Sequence, residues 1–368
     1  MSIANILAGR FTMHDVNLMR FSVGESRRIR SLLSDLRDQL TLKIESYGDE
    51  SENLTVRRMQ ALFKATDLTI KHSYAEIART HDDNMMSLAE VTADKTRETI
   101  NKTLNVSLLN VGVPESVLKA MVNDDISMGL PAKEWWDGQS NRLRQRFQSA
   151  IRQGVFAGET LSDLKRRVRG KRENGFKDGI MQATSRDAEA LIRTSVQSIA
   201  QNARMETFKA NDDVIKGVQW LSTLDMRTTS TCQALSGQAW TLDGEKMEGT
   251  ELDFPGPPPV HFGCRSSLVP VVKSWGDLIR DAKGDKALAK RMDAMEEKLP
   301  KSTQANMDGK PVSSTMNYEQ WLKSQSEERQ IEALGEGKWE MWKNGEIQLT
   351  DLIDNRNRPL SLKELKAI

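Results

Sequence analysis

Three side chains in the second half of the chain have the chemistry to bind a metal ion. They are Cys232, His261 and Cys264, and they come from two separate segments. Thiolate sulfur and imidazole nitrogen are ordinary zinc ligands, so this set is compatible with zinc, with Asp225 as a fourth ligand. The alternative is that both cysteines pack as small apolar residues while His261 hydrogen-bonds a backbone carbonyl.

The same residues also allow an enzymatic interpretation. Cys264 would be the nucleophile and His261 its base, as in a Cys-dependent hydrolase. However, the two lie three residues apart in one turn, whereas catalytic pairs usually come from different elements. The chain contains only four histidines, and the other three lie in its N-terminal part. The sequence therefore favours a protein that is not an enzyme.

Two strands and a long helix are expected to position these side chains. Apolar and polar residues alternate over 214–224, and several are β-branched, which predicts a strand. Residues 266–272 predict a second strand, whose Pro270 favours an edge position. A helix is expected from about residue 186 to 210, and short extended pieces are expected around Cys232 and at 238–240. The cysteines and the histidine meet only if the two strands pair.

The first 112 residues have the composition of long helices. Proline is absent before residue 114, and apolar residues recur at spacings of three and four. One stripe comprises Ile29, Leu32, Leu33, Leu36 and Leu40, and a later one comprises Ile77, His81, Met85, Leu88 and Val91. The pattern predicts two or three helices between about residues 14 and 109, paired with each other or with partner subunits.

Aromatic residues divide the chain. Six of the eight tryptophans lie from residue 220 onward, which predicts that the C-terminal part is compact and has its own hydrophobic core. We expect a mainly α protein in four parts. These are a long-helix region at 1–112, a helical connector with a basic cluster at 113–180, a small α+β domain at 181–299, and a linker with a short helical tail at 300–368.

Charge is balanced overall but not locally. Lys and Arg number 53 and Asp and Glu number 52, which excludes a globally basic nucleic-acid binder. The segment Arg142–Arg172 nevertheless has ten basic and two acidic residues. It would neutralise phosphates without reading sequence, or else form a solvated face or contact an acidic partner protein. The candidate DNA contacts are Arg142, Arg146, Lys165, Arg166, Arg167 and Arg169.

Two classes of protein are not expected. No apolar run approaches the roughly 20 residues that a bilayer span needs, so we expect no membrane contact. Two cysteines are too few for a disulfide framework.

The block from residue 191 to 271 carries an ordered motif. Its residues are Arg193, Asn202, Trp220, Asp225, Arg227, Gly237, Pro258, Pro259, His261, Cys264 and Arg265. Together with the tail that begins YEQWLKSQ, this order resembles the phage Mu F-like head-morphogenesis family, which comprises minor head proteins. Some members have two further cysteines, at the positions of Thr229 and Ser266 here, so a four-cysteine zinc site is not available.

The resemblance implies a structural and assembly protein of a tailed bacteriophage. It would be a minor capsid protein inside the virion near the portal, assembled in the host cytoplasm and acting in head morphogenesis. The implied partners are the phage portal protein, a scaffold or major capsid protein, genomic DNA without sequence preference, and a second copy through the N-terminal helices. No cofactor is expected apart from zinc at the three-residue set. The alternative is a metal- or Cys-dependent hydrolase or nuclease delivered with the virion.

Overall fold

A computed structural model describes most of the chain. The described residues are 3–48, 54–104, 107–123, 126–127, 130–274, 276–278, 303–305, 311–313 and 316–367. They divide into two compact units. Unit 1 comprises Met1–Leu18, Ala89–Leu118 and Gln197–Ile368, and unit 2 comprises Met19–Leu88 and Lys119–Val196. The predicted boundaries at 112, 180 and 299 stay predictions, because compactness alone does not show which segments fold independently.

Long helices dominate the first part of the chain, as the sequence predicted. Helix α1 spans Ile3–Ser46 and α2 spans Val56–Leu104. Their inward residues in unit 2 include Ile29, Leu33, Leu36, Leu40, Leu62, Ile70 and Ile77, each at most 1% exposed. Val91 was expected on the inner stripe but is 58% exposed. The next buried residue after Leu88 on this face is Thr92, four positions on, so Val91 points away from the face.

Shorter helices follow the two long ones. Helix α3 spans Glu115–Asn123, and a small hairpin pairs β1 (Ile126–Ser127) with β2 (Leu130–Pro131). There follow α4 (Ala132–Phe156), α5 (Leu161–Arg169), the 3-10 turn η1 (Arg172–Asn174) and α6 (Ile180–Lys209). Thr160 and Asp163 are the first and last residues of the sequence Thr-Leu-Ser-Asp, which predicts a helix start, and they form a capping box at the start of α5. Trp136 anchors α4, because it is buried with its ring 5.4 Å from that of His81.

Unit 1 contains a three-stranded antiparallel sheet. Its strands are β3 (Ile215–Leu221), β4 (Ala239–Thr241) and β5 (Ser267–Val272), in the order β4-β3-β5. Both predicted strands are confirmed, and Pro270 lies on an edge strand, where its missing N–H costs no ladder bond. Cys232 corrects one expectation, because it lies in helix α7 (Ser230–Leu235) and not in an extended piece. Thr229 caps that helix by accepting a hydrogen bond from the Cys232 N–H.

The core around the sheet of unit 1 includes residues from the N-terminal helices. Trp220, Trp240 and Phe208 are buried in one cluster with Leu7 and Phe11 of α1. Ile100, Leu104 and Leu109 also belong to that cluster. The N-terminal helices therefore supply core side chains to the sheet region.

The C-terminal tail is helical, as predicted. A hairpin of β6 (Thr303–Ala305) and β7 (Pro311–Ser313) lies within the expected linker. It precedes α8 (Tyr318–Lys323), α9 (Glu327–Leu334), α10 (Glu336–Lys343), the 3-10 turn η2 (Leu349–Leu352) and α11 (Leu362–Leu365). Tyr318, Trp321, Trp339 and Trp342 are buried in a second cluster. The sequence of 275–299 also predicts a helix, of which residues 276–278 are described and are helical. The sequence of 47–53 predicts a turn, of which only residues 47 and 48 are described. Among the helices that are described, none has the length and apolar character of a membrane span.

Candidate metal centre

The structure brings Cys232, His261 and Cys264 together. The Sγ atom of Cys232 lies 3.2 Å from Nε2 of His261 and 3.7 Å from Sγ of Cys264. The three ligand atoms all lie within 4.8 Å of one another. The expected proximity is confirmed, whereas a bound metal stays a prediction.

Pairing of β3 with β5 explains how the two segments meet. In that antiparallel ladder Leu221, the last residue of β3, lies opposite Ser267, the first residue of β5. The loop after β3 and the loop before β5 therefore lie at the same end of the strand pair. Ser222 then donates a hydrogen bond to the Cys232 carbonyl at 2.6 Å. On the other side, the Cys264 N–H donates to the His261 carbonyl at 3.1 Å, which closes the turn between these two ligands.

The hydrogen bonds of His261 set its tautomer. Its Nδ1 atom lies 3.1 Å from the carbonyl oxygen of Phe262. A carbonyl oxygen only accepts, so Nδ1 carries the proton and Nε2 keeps a free lone pair. That lone pair faces the Cys232 sulfur and the Thr229 hydroxyl, whose oxygen is 2.9 Å away. This is the orientation in which an imidazole binds a metal.

The two thiols have different acidities. The hydrogen bond from Cys232 lowers the pKa of Cys264 to about 4, and the neighbouring His261 acts in the same direction. The same contact and burial raise the pKa of Cys232. The Cys264 thiolate also raises the pKa of His261. One sulfur of the buried pair is therefore readily ionised.

Asp225 has a different role from its expected one as a fourth ligand. Its carboxylate accepts two hydrogen bonds from Arg265, at 2.5 and 2.7 Å, and one from the Arg227 N–H at 3.0 Å. Burial raises the pKa of Asp225, but the bonds from Arg265 outweigh it and hold that pKa below its ordinary value. The ligand atoms that the structure brings together are those of Cys232, His261 and Cys264, without a carboxylate oxygen of Asp225, which corrects that expectation. Asp225 instead stabilises a loop.

The other motif residues are spread over the sheet region. Trp220 is buried in the core, and Gly237, at φ +88, donates its N–H to the Trp220 carbonyl at 2.9 Å. The positive φ at this turn favours glycine. Arg193 is exposed and pairs with Glu189, and Asn202 lies 3.5 Å from Ser198 on the same helix. Pro258 and Pro259, joined by a cis peptide bond, precede His261.

Tyr318 contacts the loop of the motif residue Asp225, a contact that the sequence did not predict. Its hydroxyl donates to the Asp225 carbonyl at 2.9 Å, and its N–H donates to Ser236 Oγ at 2.9 Å. The tail therefore holds the loop that carries Asp225. The sequence offered one signal for this contact, because YEQWLKSQ, which begins with Tyr318, accompanies the motif. No local pattern, however, indicates that Tyr318 contacts Asp225.

A small cavity opens beside Cys232, His261 and Cys264. Its volume is about 170 Å³. It is lined by Thr223, Arg227, Thr228, Thr229, Cys232, His261, Phe262, Gly263, Arg265 and Ser266. Cys264 does not line the cavity and is 7% exposed. A substrate in this cavity would therefore face Cys232 and His261, and not Cys264.

Most of the candidate DNA contacts are paired with acidic residues. Arg146 pairs with Asp187 at 3.0 Å, Arg166 with Asp163 at 2.8 Å, Arg167 with Glu159 at 2.6 Å, and Lys165 with Glu45. Arg142 is exposed, and the Arg169 guanidinium lies 5.8 Å from the centre of the Phe176 ring. Asp187 and Glu45 lie outside the basic segment, so counting charges within it could not show that they neutralise it.

Residues 145–269 match the family described as Phage Mu protein F like protein. The match runs from α4 into β5 and contains all eleven motif residues named above, so it confirms the resemblance over this segment. Neither a curated protein nor a solved structure matches the chain.

Proposed function

We propose that this protein is a minor structural protein of a phage head, located inside the capsid near the portal, where it aids head morphogenesis. The observation that carries this proposal is the family match over residues 145–269. In the proposed role the N-terminal helices contact the portal protein or a second copy. The scaffold or the major capsid protein is a further partner during assembly.

The contacts of the motif residues support a structural role. Asp225 and Arg265 hold two loops together, and Gly237 makes a turn next to Trp220. A Cys-dependent hydrolase is a weaker interpretation, because its nucleophile must reach the substrate. Here Cys264, the nucleophile of that interpretation, does not line the cavity and is 7% exposed.

The head role predicts where the protein is found. Mass spectrometry of purified proheads and virions should detect it in both, in few copies relative to the major capsid protein. A minor protein that is built into the head co-purifies with the particle through repeated gradients, whereas a host-cell contaminant is depleted. Absence from both particles would contradict the proposal.

We further propose that the genome is contacted through an exposed part of the basic segment. Arg169, Lys171 and Arg172 are exposed at the end of α5 and in the loop after it. The nearby Asp178 is occupied by the loop itself, because it accepts hydrogen bonds from the Lys171 N–H and from Asn174, both at 2.8 Å. These three cations are better candidates than Arg166 and Arg167, which are already in ion pairs.

Changing Arg169, Lys171 and Arg172 together to Gln should weaken binding to duplex DNA. Each phosphate contact contributes about −0.9 to the slope of log affinity against log salt, so the slope should flatten by up to ~2.7. Fluorescence anisotropy at several salt concentrations measures this. The matched control changes Arg356, Lys363 and Lys366, three exposed cations of the tail, to Gln and should leave the slope unchanged.

The same variants separate DNA contact from protein docking. Under the DNA proposal, the Arg169, Lys171 and Arg172 variant still enters heads. Unchanged DNA affinity, combined with loss of the protein from heads, would show instead that this surface binds another head protein.

A further inference from the structure

We propose that Cys232 Sγ, His261 Nε2 and Cys264 Sγ bind one zinc ion, whose fourth coordination position faces the cavity and is taken by water. The proposal does not depend on the head role. It depends on the geometry of three side chains and on the groups that surround them.

The two distances from the Cys232 sulfur are close to those of a zinc site, and the third, between His261 Nε2 and Cys264 Sγ, is at most 4.8 Å. Tetrahedral zinc, with Zn–S near 2.3 Å and Zn–N near 2.0–2.1 Å, places two sulfurs about 3.8 Å apart and sulfur and nitrogen about 3.6 Å apart. The Cys232 and Cys264 sulfurs are 3.7 Å apart, and Nε2 of His261 is 3.2 Å from the Cys232 sulfur. An ion between them requires only a small outward shift of the imidazole.

The surrounding groups orient the ligands. The Phe262 carbonyl fixes Nδ1 of His261 as the protonated nitrogen, so that Nε2 is the ligand atom. The backbone of Cys232 is held on both sides. Its N–H donates a hydrogen bond to Thr229 Oγ1, and its carbonyl oxygen accepts one from Ser222 Oγ. Arg265, itself fixed by Asp225, places a positive charge near both sulfurs and offsets the negative charge of two thiolates.

The fourth position is open to water. Among the described residues, no other Cys, His, Asp or Glu has a ligand atom in this set, and both Asp225 oxygens are bound to Arg265. Thr229 lies at the cavity wall, with its oxygen 2.9 Å from Nε2 of His261. The cavity of about 170 Å³ has room for water molecules, which polar groups on its wall can hold.

The first test is the metal content of the full chain, purified in the presence of a reductant and dialysed against trace zinc. We expect about one zinc per chain by elemental mass spectrometry, and a melting temperature that falls on chelation and recovers when zinc is returned. His261→Gln, Cys232→Ser and Cys264→Ser should lose the metal. His72→Gln, which changes an exposed histidine outside the set, should retain it.

A variant that should bind zinc more tightly tests the proposal even if the Cys→Ser variants fail to fold. Thr229→Cys places a third sulfur beside His261, so zinc should resist a competing chelator at least tenfold better than in the unchanged protein. Cobalt offers a spectroscopic counterpart, because tetrahedral thiolate ligation gives intense visible and near-ultraviolet bands. We expect those bands in the unchanged protein and stronger ones in Thr229→Cys.

Two results would overturn the proposal. One is reduced protein that stays metal-free after exposure to zinc and has the same melting curve with and without chelator. The other is cobalt-loaded protein without thiolate bands. Either result would leave the three residues as a packed cluster of a hydrogen-bonded imidazole and two thiols.

Discussion

Phe11→Ala is expected to lower the free energy of unfolding by about 3–5 kcal/mol, the usual cost of truncating a buried phenylalanine. Phe11 is fully buried, and its ring lies 6.2 Å from that of Phe208. The guanidinium of the buried Arg204 lies 5.0 Å from its centre, so the substitution also removes a favourable contact of a buried cation. Urea denaturation followed by circular dichroism measures the change.

Phe156→Ala is the matched control. Phe156 is 76% exposed, so the same chemical change should alter stability by no more than about 0.5 kcal/mol. A Phe11→Ala effect as small as that of the control would show that the N-terminal part of α1 contributes little to the core of unit 1.

The same core decides whether residues 181–299 form a domain of their own. A fragment that begins at residue 180 lacks five members of the unit 1 cluster, namely Leu7, Phe11, Ile100, Leu104 and Leu109. Its remaining apolar surface would face water, so we expect a broad thermal transition for the fragment. A cooperative transition at the temperature of the full chain would instead support the domain boundary expected from the sequence.

Local patterns predicted the elements well. The strand at 215–221 follows from alternation, and the strand at 267–272 was also predicted. Thr160 and Asp163 mark the start of α5. Pro270 marked an edge strand because its nitrogen has no proton to donate. Cys232 was harder to place, because a single side-chain cap from Thr229 is enough to start a six-residue helix in a turn-rich segment.

Long-range pairing was less accessible. The convergence of Cys232 and Cys264 followed once two strands were assumed to pair. The ion pairs of Lys165 with Glu45 and of Arg146 with Asp187 did not, because charge spacing carries no information about partners on other helices. Similarly, the hydroxyl of Tyr318 reaches the Asp225 carbonyl from a distant part of the chain.

Asp225→Ala should destabilise the protein by about 3 kcal/mol, the lower end of the range for breaking a buried ion pair, because Arg265 keeps some contact with water. The substitution leaves Arg265 without its bidentate partner and the Arg227 N–H without its acceptor. Asp253→Ala is the control, because Asp253 is 71% exposed and pairs with Lys246 at the surface. An exposed pair of this kind contributes at most about 1 kcal/mol.

The pH dependence of Asp225→Asn tests whether charge is the cause. The folded protein holds the pKa of Asp225 below its ordinary value, so the ionised carboxylate stabilises the fold at pH values above about 3.9, the unfolded pKa. That contribution is lost as the pH falls through the lowered pKa of the folded state. The stability difference between the unchanged protein and Asp225→Asn should therefore be full near pH 7 and shrink below about pH 4. A difference that is equal at both pH values would assign the effect to packing of the loop and not to the Asp225–Arg265 ion pair.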